Sequence, residues 1–332
     1  MHILVIGGAG YIGSHVVYAL LQQGYEVTVL DNLRSGLREN LFPEAAFVHG
    51  DVNDPLLLDE LLSGGPAARK AANGSPYQAL IHLAALKAAG ESMLEPEQYA
   101  RSNISGTINI LSAMARNTIK NVVFSSSAAV YGEPHYLPID EQHPTEPTNF
   151  YGFTKLEIER LLAWFESLRG IRYAALRYFN AAGYEPSGAV SGLERNPANL
   201  LPIIMEVAAG TRTRVEVFGS DYETADGTGL RDYVHVSDLA DAHIRALRYI
   251  STKRCSLTVN LGSESGITVN QMLETARRIT GREIPSVNSP RRPGDPAKLI
   301  AGSARARELL QWSPRYSDAD TLVRTSWQAY SR

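Results

Sequence analysis

Cysteine is almost missing from this chain. Cys255 is the only one among 332 residues, so no intrachain disulfide can form, which suits a reducing compartment such as the cytoplasm. Long apolar runs are missing too. The opening Met1-His2-Ile3-Leu4-Val5-Ile6-Gly7 is far too short for a signal peptide or a membrane span. Neither sign of charge is in excess: 35 acidic residues face 32 lysines and arginines, a net charge of −3, and nucleic acid or an anionic membrane has no electrostatic claim. Internal repeats and zinc-ligand spacings are also lacking, so no metal site is expected. What remains is a composition ordinary for a soluble protein, 44% hydrophobic and 20% charged, in a chain long enough for two domains or one large α/β domain with an added lobe.

The order of elements carries the first positive signal. His2 to Ile6 reads as a buried parallel strand and runs straight into Gly7-Gly8-Ala9-Gly10-Tyr11-Ile12-Gly13. A helical pattern follows from Ile12 to Leu21, then a strand from Tyr25 to Leu30 closed by Asp31. Strand, glycine turn, helix, strand and acidic residue arrive in the order a dinucleotide fold requires. The glycines permit a tight turn and close backbone approach to a pyrophosphate, and the helix N-terminus offers its N–H groups. Asp31, 18 residues after Gly13, is placed to accept from both adenosine ribose hydroxyls and to repel a 2′-phosphate, so NAD is expected over NADP.

Alternation continues along the chain. Ala46–Val48 and Ala79–Leu83 read as strands, Asp54 as the cap of a helix over Leu56–Leu62, and 63–78 as a Pro/Gly-rich surface loop. A long helix is expected around Pro96 to Asn117, a strand over Asn121–Phe124 ending in Ser125-Ser126-Ser127, and a strand over Ile171–Tyr178. From about residue 181 the pattern turns irregular, with a helix over Leu200–Ala209, a strand over Val215–Phe218, and loop passing into strand at 227–236. Ser237 and Asp238 read as caps of a helix running to Tyr249, Leu257–Leu261 as a strand, and Thr268 as the cap of a helix closed by Gly281. The expected fold is α/β: a Rossmann-type doubly wound parallel sheet over 1–180, with 231–264 partly returning to it, and a smaller mixed α/β substrate-binding lobe from 181–230 and 265–332.

The chemistry concentrates in Phe150-Tyr151-Gly152-Phe153-Thr154-Lys155 at the start of a helical pattern. Four residues rise about 6 Å and return to the same helix face, so the Tyr151 phenol and the Lys155 ammonium can serve one site. A phenol titrates near roughly 10, and an adjacent cation favours the phenolate, fitting Tyr151 to accept a proton. A lone tyrosine and lysine at this spacing are usually a solvated face, and three serines after a strand are usually a turn. Together they differ: a small hydroxyl at a strand's carboxyl end, beside a phenolate, can relay a substrate proton.

These residues resemble the extended short-chain dehydrogenase/reductases, and within them the UDP-glucose 4-epimerases. The likeness spans nearly the whole chain through GGAGYIGSH at 7–15, DNL at 31–33, SSSAAVYG at 125–132, YGFTK at 151–155 and RYFNAAG at 177–183. It continues with NPANLLP at 196–202, GTGLRDYVHVSDLADAH at 227–243 and PRRPGDPA at 290–297. The glycine turn and YxxxK mark only the superfamily, whereas the last two stretches are specific to the epimerases.

The resemblance implies roles residue by residue. Tyr151 would be the catalytic base, Lys155 its electrostatic partner and a ribose ligand, and Ser127 the hydroxyl bonding the sugar oxygen at C4. Gly7, Gly10, Tyr11, Ile12, Gly13, Asp31, Asn32, Asp51, Val52, Leu83, Lys87, Asn103, Ser125 and Tyr178 would join Tyr151 and Lys155 in contacting NAD. Asn180, Asn199, Leu200, Phe218, Arg231, Arg292 and Asp295 would hold a UDP-sugar substrate. Two guanidinium forks suit a diphosphate, Phe218 offers an apolar face to uracil, and Asp295 can accept from ribose hydroxyls. Counting on from Asp295, Leu299 would face the C2 substituent of the sugar. Tyr131, Tyr184, Tyr233 and His235 are expected to pack or support. A related dehydratase would need carboxylates just after Ser127, where Ala128 and Ala129 stand. A catalytically dead regulator on the same fold would not need an intact Ser127, Tyr151 and Lys155. The family also implies a homodimer through the helices near 96–117 and 151–168.

Overall fold

The computed structural model describes residues 1–65, 76–194, 197–292 and 294–332, so most of the 63–78 loop lies outside the described residues. The chain forms two compact units. One comprises Met1–Gly132, Thr145–Arg177 and Ala240–Val259, and the other Glu133–Pro144, Tyr178–Leu239 and Asn260–Arg332. Apolar pattern alone does not reveal the assignment of 133–144. It follows from backbone bonds: Ile139 N–H donates to the Ile300 carbonyl at 2.8 Å, and Gly302 N–H donates to the Ile139 carbonyl at 2.7 Å.

The first unit is built on a Rossmann-type sheet of β1 (His2–Ile6), β2 (Glu26–Asp31), β3 (Ala46–His49), β4 (Ala79–His82), β5 (Asn121–Ser127), β6 (Arg172–Tyr178) and β10 (Leu257–Leu261). Their order is β10-β6-β5-β4-β1-β2-β3, and the run from β3 to β5 is parallel. The order reverses at β1 and β4. In such sheets ligands bind beyond the carboxyl ends of the strands at this reversal. The core joins Leu4, Ile6, Leu80, Val122 and Phe124 of the sheet to Ile110, Met114, Ile158 and Leu162 of the helices.

Those helices are α1 (Tyr11–Gln22), α2 (Pro55–Leu62), the short α3 (Ala89–Ser92), α4 (Pro96–Tyr99), α5 (Gly106–Arg116) and α6 (Phe150–Arg169). Asp54 caps α2 as expected, accepting from the Leu56 and Leu57 amides. The long helix expected over 96–117 is not uniform. A π turn, Ala100–Ser105, separates α4 from α5. Such wide turns re-aim side chains, and this one carries Asn103. The strand expected to stop at Phe124 continues through Ser127, so the serines belong to β5 itself.

The second unit carries β7 (Asn180–Ala182), β8 (Val215–Phe218), β9 (Leu230–His235), β11 (Gly266–Thr268), β12 (Ser286–Ser289) and β13 (Lys298–Leu299). β9 is flanked by β11 and β13, with β7 also pairing to it, and β12 pairs with β8. α7 (Leu200–Ala208), α9 (Val269–Thr280) and α11 (Ala319–Tyr330) close its core around Ile204, Met205, Val217, Met272, Leu273 and Leu322. A short α10 (Ala304–Leu310) completes it. Thr268 caps α9 in a reciprocal capping box with Gln271, and Gly281 ends that helix in the left-handed region.

One capping expectation fails. α8 (Val236–Lys253) already contains Ser237 and Asp238 in its first turn. The Asp238 carboxylate instead accepts from the Arg315 and Tyr316 amides at 2.9 and 3.0 Å and from the Ser317 hydroxyl at 2.8 Å, pinning a distant loop.

Candidate functional site

The glycine turn leaves β1 at Gly7, whose φ of +86° an L side chain rarely adopts. Gly13 sits so close to this turn that a Cβ there would lie 2.1 Å from the Gly7 carbonyl oxygen. Gly10 precedes α1 in extended conformation and has no side chain to cap the helix. The result is a bare cradle of first-turn N–H groups of α1, which fits the pyrophosphate of a dinucleotide. Tyr11 and Ile12 form that first turn. Asp31 ends β2 and accepts from the Ala9 amide at 3.0 Å and the Leu33 amide at 2.8 Å. Burial raises its carboxyl above the ordinary range, and these two N–H groups oppose the rise. Asn32 donates to Asp51 at 2.7 Å, joining the ends of β2 and β3.

Further along the same edge, the Leu83 amide donates to the Ile6 carbonyl at 2.8 Å. Lys87 is exposed, and Val52 is buried. The Asn103 side-chain carbonyl accepts from the Leu86 amide at 2.9 Å, while its amide donates to the Leu86 carbonyl at 3.0 Å and to Thr154 at 3.1 Å. It therefore clamps the segment before Lys87 to α6.

The proton-transfer group is assembled by α6 and the end of β5. Asn149 caps α6 by accepting from the Gly152 amide at 2.9 Å. Gly152 lets the helix approach the turn after Ser127 closely, since a Cβ there would meet the Ala129 carbonyl oxygen at 2.3 Å. The Tyr151 hydroxyl is hydrogen-bonded to the Ser127 hydroxyl, which also accepts from the Ala129 amide at 3.1 Å. Lys155 points its ammonium at the Ser125 carbonyl, 2.8 Å away, and lies 5.8 Å from the centre of the Tyr151 ring.

The electrostatics correct the expectation drawn from spacing. Burial pushes the Tyr151 phenol up to about 12 despite the Ser127 bond, and burial pushes Lys155 down to about 7. The lysine is itself desolvated and turned to a carbonyl, so it does not by itself make Tyr151 a phenolate.

In the second unit, Arg231 on β9 pairs with Asp295 at 2.6 Å and is mostly buried. The Arg292 guanidinium lies 3.8 Å over the ring of Phe218, the last residue of β8. Asn180 donates to the Asp232 carbonyl at 2.9 Å. Asn199 precedes α7 without a capping bond from its side chain, and Leu200 opens that helix. Leu299 is half-buried on β13, in register with Arg231. Tyr178 ends β6 half-buried. Tyr131, Tyr184, Tyr233 and His235 are all buried.

Sequence reasoning missed Asp232. It is fully buried and holds the Ser263, Glu264 and Ala301 amides at 2.7, 3.0 and 3.1 Å, tying β9 to the chain that follows β10 and to the chain that follows β13. It also missed a buried pair, Glu159 with Arg177.

The family model described as the NAD dependent epimerase/dehydratase family matches residues 3–262. A UDP-glucose 4-epimerase of Lacticaseibacillus casei is 46% identical over 327 residues, covering 98% of this chain and 96% of that one. The crystal structure of UDP-glucose 4-epimerase from Brucella ovis in complex with NAD is 41% identical with a TM-score of 0.93, covering 99% of this chain and 98% of its own. The UDP-glucose-4-epimerase from Stenotrophomonas maltophila, with bound NAD and formylated UDP-arabinopyranose, is 39% identical with a TM-score of 0.93 over 100% of this chain and 98% of its own.

Proposed function

The chain belongs to the NAD dependent epimerase/dehydratase family, and on that premise we propose that it is an NAD-dependent isomerase that inverts C4 of UDP-hexoses, interconverting UDP-glucose and UDP-galactose through a 4-keto sugar. The observation that carries this reading is the Ser127–Tyr151–Lys155 group beside a bare glycine turn, in a chain similar end to end to such epimerases.

Tyr151 takes the proton of the sugar 4-hydroxyl and returns it to the same oxygen once the keto sugar has presented its other face, with Ser127 bonding that oxygen and sharing the proton. Lys155 holds a ribose and lends positive charge. When bound, oxidised NAD supplies the hydride acceptor and a cationic ring whose charge favours the Tyr151 phenolate. The turn Gly7–Gly13 with Tyr11 and Ile12 receives the pyrophosphate, Asp31 and Asn32 the adenosine ribose. Asp51, Val52, Leu83, Lys87, Asn103, Ser125 and Tyr178 complete the cofactor's surroundings.

Arg231 and Arg292 grip the UDP diphosphate, Phe218 faces uracil, and Asp295 accepts from the uridine ribose. Asn180, Asn199 and Leu200 contact the remaining substrate, and Leu299 faces C2. Firm binding of UDP with few charged contacts to the hexose leaves the keto sugar free to present its other face. Ala128 and Ala129 follow Ser127, so no carboxylate stands there to drive elimination. The protein works in the cytoplasm, as its single thiol suits, and as a homodimer. Phe153, Trp164 and Leu168 on α6 and Ile108 on α5 support the dimer, because they expose apolar surface to water.

Purified protein incubated with UDP-galactose is expected to yield UDP-glucose, followed by proton NMR, with NAD as the nucleotide released on denaturation. A 4-keto-6-deoxy product, or no turnover, overturns the reading.

A further inference from the structure

Three consecutive serines at the end of β5 hold three residues of α6, and only two of those have a part in the chemistry above. Ser127 bonds the Tyr151 hydroxyl, the Ser125 carbonyl accepts from Lys155 at 2.8 Å, and the Ser126 hydroxyl donates to Glu159 Oε1 at 2.5 Å. Tyr151, Lys155 and Glu159 are spaced by four residues, which stacks them along one helix face. Glu159 is 8% exposed and its partner Arg177, on β6, is 7% exposed. Arg177 Nε donates to both carboxylate oxygens at 2.9 and 3.2 Å, while its Nη1 donates to the Tyr131 hydroxyl at 3.0 Å. Buried ion pairs rarely add stability over an apolar pair of the same volume. This one stands a single helical turn from Lys155.

We propose that Glu159 is a positioning residue for the reaction, fixing α6 in rotation against the serine run and keeping the Lys155 ammonium charged; this rests on the roles of Tyr151 and Lys155 given above. Burial draws Lys155 down to about 7, and the Glu159 carboxylate pulls it back up. The other titratable groups around it are Tyr151 on its own helix, His82 on β4 and His243 on α8. Burial first and the ammonium second hold His82 down at about 3, and His243 bonds Ser125 Oγ at 2.9 Å. Arg177 stands behind Glu159. Of these groups Glu159 alone is negative.

The test measures kcat and KM for UDP-galactose in the NAD-loaded enzyme from about pH 6 to about pH 10, with thermal midpoints, for wild type, Glu159→Gln, Ser126→Ala and Tyr151→Phe. Glu159→Gln keeps the volume and removes the charge. Expected are a kcat about 10-fold lower, an unchanged KM, and an alkaline limb moved to lower pH by about one pH unit, because an ammonium that loses its proton sooner gives up activity sooner. Ser126→Ala, which removes one hydroxyl and no charge, is expected to melt like wild type and move the limb the same way by less. An unmoved limb in folded Glu159→Gln, or in Ser126→Ala should the glutamine variant not fold, overturns the proposal. Wild-type turnover in Tyr151→Phe would sink the site assignment itself and the positioning role with it. An inactive Tyr151→Phe beside an unmoved limb condemns the positioning role alone.

Discussion

At Lys155 the cost of burial outweighs the attraction of a neighbouring carboxylate, and the sign of the result is testable. Its ammonium titrates at about 7 in the folded protein against 10.5 ordinarily, so between these values the unfolded chain binds the extra proton and stability rises with pH. Below the lower value both states are charged and the folded state carries the full desolvation cost. Replacing Lys155 by Met removes the titration. The difference in urea midpoint between wild type and Lys155→Met should therefore change steadily from pH 7 upward, in favour of wild type. A pH-independent difference would show that burial does not depress this lysine. Leu299 presents a different residue-scale question, of size. It is half-buried in register with Arg231, and if it faces the C2 substituent, the enzyme should accept both UDP-galactose and UDP-N-acetylgalactosamine. Leu299→Tyr should then cut the N-acetyl activity about 10-fold while sparing UDP-galactose, since overfilling a packed site costs about 1–3 kcal/mol. Equal loss of both activities in a coupled assay would make Leu299 a packing residue.

At the scale of elements, the site depends on how closely α6 docks against the turn following β5. Gly152 sets that distance: its missing side chain leaves room that the Ala129 backbone fills, at 2.3 Å from where a Cβ would stand. Backbone cannot swing aside as a flexible side chain can. Gly152→Ala should thus displace α6, weaken the Ser127–Tyr151 bond, destabilise the protein by about 1–3 kcal/mol and lower kcat more than KM. Urea unfolding and steady-state kinetics measure both, and a variant matching wild type in each would refute the close docking. The strand–turn–helix–strand order and the caps at Asp54 and Thr268 were legible in sequence, because apolar period, glycine placement and capping chemistry are local. The π turn at Ala100–Ser105 was not. It answers to Leu86, 17 residues before Asn103, with which the Asn103 amide exchanges two hydrogen bonds.

For the whole molecule, the apolar residues exposed on α5 and α6 bear on assembly. Trp164 and Leu168 are each 65% exposed, and a dimer that covers them should fall apart when they become charged. Trp164→Glu with Leu168→Glu is expected to sediment as a monomer at micromolar concentration, and wild type as a dimer. A wild-type monomer would end the dimer reading. The sequence by itself determined the α/β class, the glycine cradle, Asp31, and the candidates Ser127, Tyr151 and Lys155, since each lies in a motif whose spacing carries its chemistry. Tertiary structure decided the rest. It turned Lys155 to the Ser125 carbonyl, raised Tyr151 where spacing alone suggested lowering, tied Asn103 to Leu86, and brought Glu159 to Arg177 across 18 residues. The physical reason is that desolvation and hydrogen-bond partners depend on what the folded chain packs around a group, and no local pattern encodes that.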